Sequence, residues 1–337
     1  MDVKWVVPGV LAVASMPSEE DLSDVTSGFK GVVVLAERNE LLYDLDKLVG
    51  AGLKVLYVPI PDFSAPNLIE LHEAVEFIDS CEKPVLVHCF GGKGRSGTVA
   101  VAYLMATRGM GYEEALAKAR SVDQGFVETE AQHRVLRLYD RLLRAVPRRL
   151  LSKAIEIGER YGFGRGIGHA SKVLELSIEL TAKLEEVGVP KLSKEVERAL
   201  YVAAILHDIG TYFDLSDEHR EYSYKMILEH GEELNNACSC NIAEKASIIA
   251  RLHGRKDLVP EDLDKELKIA VGIIRIADGL DYTLDQAVAG IEISRDDSRV
   301  IAKVNCSNWC SADIERASKK KKLLEEILGL RIDVEPA

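Results

Sequence analysis

The sequence predicts two domains: an α/β three-layer domain with a central sheet (residues 1–147), then a mostly α-helical domain (148–337) that ends in a small strand–helix piece. Three observations carry this. At 337 residues the chain exceeds the usual single-domain size of about 100–150. Up to Arg144, short apolar runs alternate with amphipathic stretches; beyond it, helical periodicity takes over almost completely. Between the two regimes lies RAVPRRL, a basic junction in which Pro147 is a natural helix breaker.

In the first domain, the runs at 5–7, 32–35, 55–58 and 85–87 read as buried strands, because strands covered on both faces lose the apolar–polar alternation. Helical spacing fills 19–27, 41–49 and 67–80 between them, and 97–107, 113–119 and 128–143 after them. Strands interleaved with helices place helices on both faces of one sheet. In the second domain, the glycine-rich stretch YGFGRGIG (161–168) leads into helical periods at 169–187, 193–207, 217–230, 241–253 and 265–281. Residues 285–337 form the α+β tail: 291–304 alternates like one or two strands, and a final helix spans 312–328. The run KKKK (319–322) reads as a solvated helix face.

Composition bounds the function. With 47% hydrophobic and 29% charged residues the chain is an ordinary globular one, and its net charge of −12 argues against general nucleic-acid or anionic-membrane binding. It shows no apolar run of membrane-spanning length and no signal-peptide pattern, which makes the cytoplasm the expected location. Scarce glutamine with plentiful Glu, Lys and Arg points to a thermophilic source. Of six cysteines, Cys238-x-Cys240 and Cys306-x3-Cys310 form two close pairs. A four-thiolate zinc site, disulfides and plain buried thiols are all open for them.

Residues 88–96 read HCFGGKGRS. A strand-like run leads in and a helix-like run leads out. Glycines let backbone N–H groups turn toward one point, and a following helix N-terminus adds positive potential there. A cysteine facing such a cradle is expected to react as the thiolate, and Arg95 can grip two phosphate oxygens at once. The chemistry this predicts is attack of Cys89 on a phosphate monoester, giving a phosphocysteine that water hydrolyses. An ordinary glycine turn after a strand-end cysteine is the plain alternative; the joint spacing of His88, Cys89, Arg95 and Ser96 favours the cradle.

This stretch resembles the signature H-C-x5-R-[ST] of the protein tyrosine and dual-specificity phosphatases, and the resemblance covers roughly residues 1–145. It implies that His88 orders the loop, that Phe90, Gly91, Gly92, Lys93, Gly94 and Arg95 hold phosphate, and that Ser96 assists breakdown of the phosphoenzyme. The family also needs an acid for the leaving oxygen. Asp62 is the candidate, in a loop stiffened by Pro59, Pro61 and Pro66 that resembles the acid loop of the compact members. A turn aspartate serving the helix near Asn67 is the alternative. In the segment 123–132, Asp123-Gln124 departs from the Arg-Pro usual in the family. Gln132 matches a family glutamine, with a solvent-facing helix position as its alternative.

The second domain holds His169, His207, His219, His230 and His253. His207-Asp208 adjoin in AAILHDIG, and Asp278 lies on the apolar run IIRIADGLD. Imidazole and carboxylate together suit a hydrolytic divalent metal, manganese, iron, magnesium or zinc. These residues resemble the H…HD…D pattern of the HD superfamily of phosphohydrolases, which makes His169, His207, Asp208 and Asp278 its four ligands. More narrowly, 150–335 resembles the C-terminal half of exopolyphosphatase/guanosine-pentaphosphatase proteins, where His253 matches a histidine of an R-x-H stretch. Where that family often carries a further histidine, this chain has Tyr222, which puts a second metal in doubt; His219 lies three residues earlier, and His230 matches no family position.

The expected protein is a cysteine-dependent phosphatase joined to a metal-binding HD domain. Its substrates would be phosphorylated proteins or small molecules. The HD domain has three open roles: a second hydrolase, a regulatory module with a nucleotide ligand, or a scaffold for a homodimer.

Overall fold

The computed structural model describes residues 1–337, which divide into two units, Met1–Arg141 and Leu142–Ala337. In the first, β1 (Val3–Val7), β2 (Leu11–Ala14), α1 (Leu22–Gly28), β3 (Gly31–Val34), α2 (Leu45–Gly50), β4 (Lys54–Tyr57), α3 (Leu68–Ser80) and β5 (Val85–His88) follow in order. Then come α4 (Gly94–Arg108), α5 (Tyr112–Arg120) and α6 (Glu130–Ala145), the last running past the division between the units.

The strands form one five-stranded mixed sheet in the order β1-β2-β5-β3-β4. β5 is parallel to both β2 and β3, with His88 level with Ala14 and Val34. Every residue of β2, β3 and β5 is buried, as a sheet covered on both faces requires. Alternate residues Ala12, Ala14, Val32, Val34 and Leu86 pack with Leu22, Val25, Phe29 and Leu48 from α1, α2 and their flanks. The sequence reading missed β2. Gly9 closes a turn only a few residues after β1, and LAVA alone carries too short a pattern to separate from its neighbour. The carboxyl end of the central β5 is where an open α/β sheet exposes backbone for a ligand.

The second unit comprises α7 (Arg148–Arg160), α8 (Ile167–Glu186), α9 (Lys194–Leu206), a 3₁₀ turn at Ile209–Tyr212, α10 (His219–Glu229), α11 (Gly231–Cys238), α12 (Ala243–Arg251) and α13 (Lys265–Gly279). A three-stranded sheet follows, with β6 (Val288–Arg295) antiparallel to β7 (Arg299–Cys306) and β8 (Arg331–Pro336) parallel to β7. The crossover from β7 to β8 is helical, but the expected single helix is two, α14 (Ser311–Lys320) and α15 (Lys322–Leu328). The sequence reading also left α11 unassigned. The cysteines settle as disulfides, Cys238–Cys240 and Cys306–Cys310, which removes the four-thiolate zinc site, while Cys81 and Cys89 are free and buried. No helix is long and apolar enough to cross a membrane.

Candidate active site and metal centre

The chain leaves β5 at His88, and α4 begins at Gly94, so residues 89–93 form the turn. Gly92 adopts φ +68°, and a Cβ there would lie 2.5 Å from the backbone of Ala14 and Ser15. Glycine is what lets the loop close against the end of β2. The Gly92 N–H donates toward Cys89 Sγ at 3.3 Å, and the Phe90 carbonyl accepts from the Met16 N–H at 2.8 Å. Phe90 is half exposed, and Gly91 and Lys93 are exposed, at the mouth of the turn. Gly94 and the buried Ser96 lie in the first turn of α4, and Ser96 Oγ has no hydrogen-bond partner.

Arg95 is 1% exposed. Its Nη1 and Nη2 donate to Glu40 Oε2 and Oε1 at 2.7 and 2.8 Å, and Nη1 also donates to the Ile60 carbonyl at 2.7 Å. This fork holds the Glu40 carboxyl below its usual range. Asp62 Oδ1 lies 3.0 Å from Arg95 Nη2, so the acid loop does bring its aspartate to the cradle. Asp62 does not cap α3; Asn67 does, with Glu70 completing a capping box. Gln132 is buried rather than solvent-facing: its Oε1 accepts from the Glu128 N–H at 2.8 Å and its Nε2 donates to the Ser64 carbonyl at 3.0 Å, tying the start of α6 to the acid loop. Asp123, at the departure from Arg-Pro, pairs with Lys4 and accepts from the Gly125 N–H.

His88 is fully buried between Tyr43 and the backbone. Its Nδ1 faces the Cys89 carbonyl at 3.2 Å, and a carbonyl only accepts, so Nδ1 carries the proton. Nε2 then accepts from the Tyr43 hydroxyl at 2.6 Å, and burial keeps that hydroxyl protonated by raising its pKa. Glu40 and Tyr43 escaped the sequence reading. Burial lowers His88 to about 4, against an ordinary value of 6.5. The neutral ring is therefore favoured by folding, so its contribution is full above pH 6.5 and lost as pH falls toward 4. The shift corresponds to about 3 kcal/mol of stability for the first unit. Chemical denaturation from pH 7.5 down to 4 should show this loss, and His88→Asn should lessen it, while His207 and His253 keep their own share; an unchanged slope in the variant would place the acid sensitivity elsewhere.

In the second unit, α8 supplies His169, the end of α9 supplies His207 and Asp208, and α13 supplies Asp278. One ligand atom from each lies within 4.8 Å of the others. His169 Nε2 is 3.5 Å from Asp278 Oδ1 and 3.6 Å from Asp208 Oδ2; His207 Nε2 is 3.8 and 3.6 Å from the same atoms. Each ring is held by its other nitrogen: His169 Nδ1 on Asp281 Oδ2 at 2.8 Å, His207 Nδ1 on the Ala204 carbonyl at 2.9 Å. His169 Nε2 and His207 Nε2 then lie 3.2 Å apart, both toward the carboxylates. Burial lowers His207 to about 4 and His253 well below the ordinary value, which keeps both rings neutral.

A second group shares Asp208 and adds His219 and His253. Their Nδ1 atoms face the Ser216 and Ala250 carbonyls at 2.5 and 2.6 Å, and their Nε2 atoms face Asp208 Oδ1 at 3.2 and 3.5 Å. Asp208 Oδ1 and His219 Nε2 are buried without a hydrogen-bond partner. Acceptors aimed at acceptors are costly unless a cation lies between them, so the donor set fits metal. Tyr222 is 39% exposed and belongs to neither group, whereas His219, three residues earlier, belongs to the second. His230 accounts for itself otherwise, with Tyr161 and Glu233. Lys320, from the supposed solvated run, is 5% exposed and pairs with Asp278.

Comparison with known proteins finds both domains. Residues 1–141 match the family model "Swiss Army Knife protein, DSP-PTPase phosphatase domain", and residues 166–283 match the HD domain. Dual specificity protein phosphatase 1B of Arabidopsis thaliana is 34% identical over 119 residues, covering 30% of this chain and 71% of that protein. Dual specificity protein phosphatase Mpk3 of Drosophila melanogaster is 43% identical over 72 residues, 20% of this chain and 18% of that one. The chain likewise spans less than two thirds of several other curated phosphatases. A solved structure of Tk-PTP in the active form is 44% identical, covering 41% of this chain and 95% of that one, with a TM-score of 0.39. By its first unit the chain belongs to the dual-specificity phosphatase family, and its second unit carries an HD domain.

Proposed function

We propose that the first unit hydrolyses phosphate monoesters through a phosphocysteine, and that the second holds a divalent metal. The observation that carries the first reading is the convergence on Cys89 Sγ of the Gly92 N–H and on Arg95 of the Asp62 carboxyl. The phosphate of a monoester would lie in the turn of Phe90, Gly91, Gly92, Lys93 and Gly94, gripped by the aligned Arg95. Cys89 sulfur attacks phosphorus; the S–P bond forms as the ester P–O bond breaks. Asp62 gives its proton to the leaving oxygen. Water then attacks phosphorus, Asp62 takes the water proton, and the S–P bond breaks to release orthophosphate. Ser96, buried and unpartnered in the first turn of α4, is placed to donate to the departing sulfur. His88, locked by Tyr43, orders the turn.

Substrate breadth follows from the mouth of the cradle. Phe63 and Phe90 are 65% and 52% exposed on the two loops that form it, a surface for the apolar part of a phosphorylated side chain or small molecule. The test is Asp62→Asn with two leaving groups. Losing a general acid costs about 10²–10⁴-fold. That loss is expected with phenyl phosphate and much less with p-nitrophenyl phosphate; equal losses would make Asp62 a loop-positioning residue instead.

In the second unit His169, His207, Asp208 and Asp278 would hold one ion, and Asp208, His219 and His253 a second. The chemistry such ions supply is polarisation of a phosphoryl oxygen and activation of water. Asp281 positions His169, and the Ala204, Ser216 and Ala250 carbonyls fix the tautomers of His207, His219 and His253.

A further inference from the structure

The two disulfides of the second unit belong to neither site described above. Stabilisation by a disulfide grows with the loop it closes, and Cys238–Cys240 spans a sequence separation of only 2, so it is a weak staple. The turn in which it sits is held without it. The Asn235 carbonyl, near the end of α11, accepts from the Cys240 N–H at 3.2 Å, and Asn235 Oδ1 accepts from the Ile242 and Ala243 N–H groups at 2.8 and 3.0 Å, where α12 begins. We propose that Cys238–Cys240 is a redox-active pair that exchanges with an external dithiol, with Cys240 as the leaving thiolate and Arg198 as the group that stabilises it.

The surroundings suit the reduced pair as well as the bridge. Arg198 on α9 brings Nη1 to 3.5 Å from Cys240 Sγ, while its Nε donates to the Ala145 carbonyl at 3.1 Å, which fixes the guanidinium. A cation beside sulfur favours the thiolate. Cys238 Sγ meets the opposite setting: the carbonyls of Leu234, Asn235 and Cys240 lie 3.6, 3.5 and 3.4 Å from it. They disfavour a negative sulfur there and can accept from an S–H. One sulfur is thus provided for as thiolate and the other as thiol. Access is open too: both cysteines are half-buried, and Asn236, Ser239 and Asn241 around them are exposed. Cys306–Cys310 differs, since Cys306 Sγ faces the Val304 carbonyl at 3.9 Å and Cys310 is buried.

In the exchange, a thiolate of the dithiol attacks Cys238 Sγ. An S–S bond forms between them as the Cys238–Cys240 bond breaks, and Cys240 leaves as the thiolate beside Arg198. The second thiol of the dithiol then gives up its proton and attacks its own first sulfur, closing a disulfide. Cys238 leaves, takes that proton and becomes the thiol that its carbonyls accept from. Two electrons pass: the dithiol is oxidised to a disulfide and the Cys238–Cys240 bridge is reduced. A sulfur whose thiolate is stabilised departs faster and lies lower when reduced, so Arg198 bears on both rate and equilibrium.

The experiment equilibrates the full-length protein in buffers of reduced and oxidised dithiothreitol, quenches with acid, alkylates, and reads each bridge separately by peptide mass mapping. The equilibrium constant for reducing Cys238–Cys240 should exceed that for Cys306–Cys310 at least about tenfold, or about 30 mV. Arg198→Gln should lower the Cys238–Cys240 constant about tenfold to a hundredfold, the scale of a hydrogen bond to a charged group, and Arg198→Lys should recover most of it. In the reduced protein, iodoacetamide should modify Cys240 before Cys238, and Arg198→Gln should erase that preference. Cys306–Cys310 is the internal control: a variant that merely loosens the fold moves both bridges, whereas loss of the arginine's charge moves one. A Cys238–Cys240 bridge reduced no more readily than Cys306–Cys310, an advantage that Arg198→Gln leaves intact, or a shift equal in both bridges overturns the inference. So does a pair that stays as two thiols in oxidised dithiothreitol.

Discussion

Cys89→Ser should reduce hydrolysis of p-nitrophenyl phosphate by about 10⁴-fold or more, toward the roughly 10⁶-fold cost of deleting a nucleophile. The serine keeps the shape of the turn and its Gly92 contact, but a hydroxyl in that place has no base to activate it: His88 already spends both nitrogens on Tyr43 and the Cys89 carbonyl. Chelator should leave the wild-type activity unchanged, and vanadate and iodoacetate should abolish it. Arg95→Ala should match the loss for a different reason. It removes the two-pronged grip on phosphate and strands Glu40, and breaking a buried pair costs about 3–5 kcal/mol of stability. Arg95→Lys separates these effects, because a lysine keeps the charge beside Glu40 but cannot span the fork. Its thermal midpoint should fall less than that of Arg95→Ala while its activity stays low. Activity that survives Cys89→Ser and dies with chelator would belong to the second unit, and the phosphocysteine would be discarded.

How legible these sites were depends on chain distance. The cradle is one contiguous turn, so its nucleophile, glycines and arginine stand together in the sequence, framed by a strand and a helix that supply the geometry. The residues that align it do not. Glu40 meets Arg95 across 55 residues and Tyr43 meets His88 across 45, and neither lies in a pattern of its own. Both stand in the irregular stretch before α2, although the sequence reading had extended a helix over 41–49 and so across Tyr43. The HD ligands were legible because helix faces bring His169, His207 and Asp278 together and each lies on an apolar background, where a polar residue is conspicuous. His219 was not, because its ring reaches Asp208 only through the turn between the 3₁₀ segment and α10. Lys320 was misread for a physical reason: the run straddles the break between α14 and α15, and Lys320, the last residue of α14, faces what that helix covers, here Asp278.

Asp208→Ala should have the largest effect on metal. It is the one side chain common to both donor groups, and its two oxygens face different sets of imidazoles, Oδ2 toward His169 and His207, Oδ1 toward His219 and His253. Its removal should lower manganese affinity by more than the 10–100-fold typical of outer-sphere partners. His207→Ala should act nearly as strongly, whereas His219→Ala should spare the first group and remove only the second ion. Asp281→Asn should fall within the 10–100-fold range, since it touches only the far nitrogen of His169. Thermal unfolding supplies an independent reading: a ligand at a hundred times its dissociation constant stabilises by about 2.7 kcal/mol, so manganese should raise the midpoint of wild type and not of Asp208→Ala. The N-terminal activity, unchanged in every one of these variants, serves as the internal control for folding. Wild type that shows neither bound manganese nor a raised midpoint would mean that the facing lone pairs are bridged by protons or water, and the HD unit would then be a helical scaffold without a metal.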